Sequence, residues 1–191
     1  ADARLRVSAT ATDIAILHAR AVRQLFATRL PVSATIVMRA QFEALLRACW
    51  LLYVAPDTAI AKLGATLDLE GEQAAKNLAG ADEMLQSLQR ARSAQNAVAV
   101  DMLTEFKQYH WRALNSFTHT GLHAISRAAS PGFPVVLAET AIRHSNGLLV
   151  MAGMLRAILS GRPDLIQRVK ALQVRNAPVF PPASSPATTT T

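Results

Sequence analysis

The stretch Ile36-Val-Met-Arg-Ala-Gln-Phe-Glu-Ala-Leu-Leu-Arg-Ala-Cys-Trp-Leu-Leu52 contains neither glycine nor proline and is apolar almost all round a helical projection. A helix that is greasy on every side must be wrapped by others, which places it at the centre of a helical bundle. Its charges are ordered, with Arg39, Glu43 and Arg47 recurring every four residues as one rail that Trp50 continues. Charges on a core helix are costly unless they pair or line a solvated cleft. The rail therefore predicts a salt-bridged rim which, if it faces a second polar helix, positions that helix's side chains.

Outward from this helix, the pattern predicts further helices on both sides. Residues 1–9 read as frayed, followed by a helix from Thr12 to Ala27 with Ile14, Leu17, Ala21, Leu25 and Phe26 as its buried stripe. Leu30-Pro31-Val32-Ser33 breaks it, and Ser33 reads as the N-cap of the central helix, which Ala55-Pro56 ends. A third helix is expected over 57–78 and a fourth over 83–92. From Val98 or Val100 a helix runs on, kinked or straight, to Ala129, where Ser130-Pro-Gly-Phe-Pro134 stops it. The last long helix covers 134–159, closed by Gly161, and a short basic helix covers 163–172. The fold class expected is all-α, an up-and-down bundle of about five to six helices. It forms a single domain over residues 1–174, with a low-complexity, disordered tail over 175–191.

Composition agrees with this class. The 191 residues are 51% hydrophobic but only 5% aromatic, rich in Ala and Leu, which favours helices over a sandwich. The single cysteine, Cys49, lies on the central helix, so no internal disulfide can form; it reads as a buried apolar residue in a reducing compartment. Ala1–Val7 lacks the apolar core of a secretory signal, and the longest uncharged apolar run, Gly147 to Leu155, is too short to cross a bilayer. A cytoplasmic protein with no membrane contact is expected.

The formal net charge of +7 is unevenly spread: +4 over 1–56, −4 over 57–105, +3 over 106–133 and +4 over 134–191. Positive ends around an acidic middle would draw phosphate-bearing ligands, RNA among them. Helix 134–159 carries more apolar residues than one face needs, with Gly147, Ala152 and Gly153 permitting close approach. That surplus predicts a homodimer through this helix.

The chemistry-bearing stretch is Tyr109-His-Trp-Arg-Ala-Leu-Asn-Ser-Phe-Thr-His-Thr-Gly-Leu-His-Ala-Ile-Ser-Arg127. Wound as one helix, it gathers Arg112, Asn115, Ser116, His119, His123 and Ser126 within a sector of about 100°. Histidine as a residue type exchanges protons near neutrality, and arginine grips phosphate through a planar fork. Arg112 and His119 are two turns apart, about 10.5 Å along the axis, so only arginine's reach, a bend near Asn115, or a second copy joins them on one phosphate.

Arg112-Ala-Leu-Asn-Ser-Phe-Thr-His119, in an all-helical setting, resembles the arginine, four to six residues, histidine signature of HEPN domains. Together with the Arg39/Glu43/Arg47/Trp50 helix it is similar to HEPN-like bacterial helical proteins over roughly residues 10–160. The resemblance implies a metal-independent endoribonuclease of the toxin or phage-defence kind, acting as a dimer, with an antitoxin as one partner. Arg112 would hold phosphate, His119 would transfer the proton, and Asn115, Ser116, His123, Arg39, Glu43 and Arg47 would support them without any cofactor. The chain departs from the family's pattern at Ala113, where active members carry a polar residue.

Two other readings fit the same residues. A non-catalytic helical protein that binds RNA, a nucleotide or a protein partner needs the polar face but no turnover. Alternatively His119 and His123, four apart, share a metal ion with Glu43 or His144. His18, His110 and His144 otherwise read as isolated structural or surface residues.

Overall fold

In the computed structural model of the chain, which describes residues 2–182, the first helix begins well before its apolar pattern does. The Asp2 carboxylate accepts the Arg4 backbone N–H at 2.9 Å and so caps α1 (Ala3–Ala27), whose first turns are helical rather than frayed. The buried face of α1 is also a different one. Val7, Ser8, Ala11, Thr12, Ala15, Ala19 and Val22 are buried, whereas Ile14 and Leu17 are exposed. Small side chains let the α1 backbone approach its neighbour closely, so this helix turns its alanine row, not its largest residues, to the core. Ser8 Oγ and Thr12 Oγ1 are tied to the Ala48 and Ser8 carbonyls, so the small polar residues cost little when buried.

Arg29 adopts a left-handed backbone (φ 60°) just past α1. There the Leu30 N–H bonds the Leu25 carbonyl and the Arg29 N–H bonds that of Phe26, which closes the helix and reverses the chain. Pro31 then opens α2 (Pro31–Tyr53), with Leu30 as its N-cap. The expected Ser33 cap is displaced because proline's fixed φ and missing N–H suit the first helical position.

The expected helix 57–78 is two: α3 (Asp57–Leu63) and α4 (Leu69–Ala75). Gly64 ends the first, and the Asp68 carboxylate accepts the Gly71 N–H to start the second. The helix α5 (Ala81–Arg90) opens where Glu83 accepts the Gly80 N–H. The residues between 91 and 96 form turns before α6 (Ala97–Thr118). Then follow α7 (Leu122–Ala129), α8 (Val135–Leu159) and α9 (Pro163–Arg175). A 3-10 turn over Ala177–Val179 follows, and Asn146 Nδ2 donates to its Val179 carbonyl. Part of the expected tail thus lies on α8; residues 183–191 fall outside the described part of the chain. Among the described residues there are nine α-helices and no strand, against the five to six expected; two of the additional helices arise because the 57–78 and 98–129 patterns are each interrupted.

The central position of α2 is as its pattern predicts: α1, α5, α6 and α8 all pack on it. Phe42, Leu45, Leu46 and Leu51 of α2 meet Leu88 of α5, Leu103 and Leu114 of α6 and Leu148 of α8, all buried. Phe42 stacks on Phe106 at 4.8 Å and meets the edge of Trp111 at 5.9 Å. Gln41, fully buried, donates to the Ser145 carbonyl and accepts from Ser145 Oγ, a two-bond latch between α2 and α8. The surplus apolar residues of α8 are largely spent on α1, α2 and α9; Val135, Val136 and Leu137 at its start and Ile158 near its end stay exposed. Among the described residues no helix is long and apolar enough to cross a membrane.

Candidate functional site

The stretch 109–127 is not one helix. α6 ends at Thr118, His119 is its C-cap, and Thr120 takes a left-handed backbone with φ 53°. The Gly121 N–H bonds the Ser116 carbonyl at 2.6 Å and the Thr120 N–H bonds that of Phe117, a paired closure that usually has glycine where Thr120 stands. A β-branched residue in this region is strained. Glycine is needed one position later for space: a Cβ on Gly121 would lie 2.8 Å from Ser116 Oγ and 3.3 Å from Ser116 Cα. Ser116 Oγ in turn accepts the His123 backbone N–H at 2.9 Å, so Ser116 caps α7 and fixes how the two helices meet.

This joint rearranges the polar face read from the sequence. His119 and His123 stand on opposite sides of the turn, not one turn apart on a single helix, and the His123 ring lies 6.0 Å from that of Phe117. Ser126 is exposed on α7. Among the described residues no group of three or more His, Cys, Asp or Glu side chains could hold a metal ion.

His119 meets an arginine, though not Arg112. Arg39 Nη1 lies 3.3 Å from His119 Nε2, while Arg39 Nε and Nη2 both donate to Glu43 Oε1 at 3.1 and 3.0 Å. A guanidinium can only donate, so in this contact Nε2 is the acceptor and presents its lone pair to Arg39. The Arg39 Cζ also stands 4.7 Å over the Trp111 ring, and Lys107 Nζ 5.1 Å from it. Lys107 is itself ion-paired with Asp82 of α5.

Arg112 is exposed and lines a different hollow, a cleft of about 340 Å³ between α5 and α6 shared with Gln86, Gln89, Lys107 and Trp111. Trp111 is common to this cleft and to the Arg39/His119 contact. Arg112 forms no ion pair among the described residues.

Of the charged rail on α2, the Arg39–Glu43 half is bonded. Arg47 reaches the Ala79 carbonyl at 3.4 Å instead, and its Nη1 is buried with no bonding partner. Burial lowers the Arg47 pKa, and Glu43 nearby works in the opposite direction. Asn115 Oδ1 is likewise buried and unpartnered. Cys49 is sealed in the core, where burial pushes its thiol up to about 12, outside the range of a working nucleophile.

His110 and His144, which read as isolated, form a pair. Their ring centroids are 4.1 Å apart between α6 and α8, and each also meets Phe106. Burial pushes His110 down to about 4, helped by the neighbouring His144 and opposed by Glu105. Burial lowers His144 too, again opposed by Glu105. Only the Phe106–His110 spacing of four hinted at this, because His144 arrives from another helix.

The fold and these contacts define an all-helical bundle protein with a cationic, histidine-bearing end where α6 meets α7. The chain belongs to a family of unknown function, DUF6988, whose profile matches residues 12–182. Among curated proteins and among solved structures nothing matches it.

Proposed function

We propose that this end of the bundle binds RNA and cleaves it without metal, with His119 as the proton-transfer group, in line with the HEPN resemblance. The observation that carries the reading is the exposed His119 ring whose Nε2 lone pair faces Arg39 at 3.3 Å. A phosphate that draws the Arg39 Nη1 N–H onto itself would leave the Nε2 lone pair free beside it to take the ribose 2′-hydroxyl proton. The 2′-oxygen then bonds phosphorus as the bond to the 5′-oxygen breaks, leaving a cyclic phosphate and a 5′-hydroxyl, and the departing oxygen takes up a proton. Arg39 thereby takes the phosphate-holding role expected of Arg112, and the exposed Arg112 extends the basic track along the strand. One chain brings one suitably placed histidine, so two copies acting together would supply base and acid. The toxin or phage-defence setting belongs to the same proposal.

A second reading, binding without cleavage, is favoured by the separation of Arg112 from His119 and by Ala113 after that arginine. Purified protein incubated with RNA and EDTA separates the two. Cleavage by the wild type that disappears in His119→Ala supports the first; intact RNA with fluorescence anisotropy binding that weakens in Arg39→Ala and Arg112→Ala supports the second. Cleavage undiminished in His119→Ala removes the catalytic assignment.

A further inference from the structure

Far from this end, α1, α8 and α9 enclose a groove of about 810 Å³. Ile16, Gly153, Ala157, Leu165, Val169 and Leu172 give it an apolar floor, and four arginines stand at its edges. Arg156 pairs with Asp13 and Arg162 with Asp164, but Arg168 and Arg175 have no ionic partner among the described residues. These two are seven apart on α9, so they project to one side about 10.5 Å from each other. The helix α9 lies mainly on α8 and has no fully buried residue, so its apolar stripe is only half covered.

The complement of this groove is on the same chain. Leu67 and Leu69 are 88% and 73% exposed, the former beside and the latter at the start of α4, interleaved with Asp68, Glu70 and Glu72. The main packing of α4 is against the short α3, so the segment projects from the body. Glu70 and Glu72 have no ionic partner among the described residues. Two bare leucines beside free carboxylates match, in both apolarity and charge, an apolar floor edged by free arginines.

We infer that the Leu67–Glu72 segment of one copy docks into the α1/α8/α9 groove of a second copy, its leucines on the floor and its glutamates against Arg168 and Arg175. Because the two surfaces differ, one such contact leaves a free groove on one copy and a free segment on the other, so it propagates head-to-tail. Such a contact makes rings or chains rather than an isolated two-fold pair.

Light scattering on the full chain over a range of concentrations tests this. The wild-type mass should climb past a dimer at low salt and fall back at high salt, since exposed charge pairs are screened. Arg168→Glu with Arg175→Glu, and separately Glu70→Lys with Glu72→Lys, should each weaken association at least tenfold while leaving the helical circular dichroism unchanged. Asp68 is left intact because it caps α4. All four changes in one chain should restore assembly, because the charges match again. A wild type that is monomeric throughout, variants that associate as the wild type does, or failure of the fourfold swap to restore assembly would each overturn self-docking.

Discussion

Arg39 and His119 are separated by 80 positions in sequence, yet their side-chain nitrogens meet at 3.3 Å. Glu43 holds the arginine from one side and Trp111 lies under it, so the guanidinium is oriented before any ligand arrives. If this contact is the working centre, His119→Ala and Arg39→Ala should each lower the RNA cleavage rate by about 10²-fold or more. Arg39→Lys should recover little, because an ammonium cannot bond Glu43 twice and still face the imidazole. Single-turnover cleavage rates of the three variants in EDTA check this.

Strain at the joint of α6 and α7 gives an independent handle. Thr120→Gly relieves a left-handed threonine and should raise stability by roughly 0.5–1 kcal/mol, the strain released less the entropy glycine adds to the unfolded chain. Gly121→Ala should lower stability, since the new Cβ meets Ser116 within 2.8 Å and loosens the cap on α7. Denaturant midpoints of the two variants should move in opposite directions.

The His110–His144 pair sets a dependence of stability on pH. Both imidazoles have folded pKa values below the unfolded one, so the unfolded chain binds more protons between about 4 and 6.5. Stability is therefore complete above about 6.5, falls as pH drops through that window and levels below about 4. Discounted for partial solvent exposure of the rings, the loss should be roughly 1–2 kcal/mol. Urea melts at several pH values should show this slope, and the His110→Gln/His144→Gln variant should flatten it.

The latch between Gln41 and Ser145 lies wholly inside the protein. Ser145→Ala strands the Gln41 Oε1 acceptor and should cost about 1–3 kcal/mol, whereas Gln41→Met combined with Ser145→Ala removes both needs together and should cost less than the single change. A double-mutant cycle on thermal unfolding would expose that coupling.

Much of this was legible in the chain itself. The centrality of α2, the all-helical class, the stop at Ser130–Pro134 and the polar nature of 109–127 follow from periodicity and from proline and glycine placement, which act through neighbouring residues. The split at Thr120 was not legible, because its closure uses a threonine where glycine would be the signal. Nor was the buried face of α1, since periodicity marks large apolar residues while this interface is built of alanines.

Side-chain identity thus determined the all-helical class and the central place of α2, that Cys49 is inert and that cationic groups gather near the end of α6. Only the tertiary structure decided that His119 answers to Arg39 rather than Arg112, and that His110 finds His144. Local sequence governs contacts within a turn or two, whereas these partners come together from separate helices, and only the packing of α6 against α2 and α8 sets their distance.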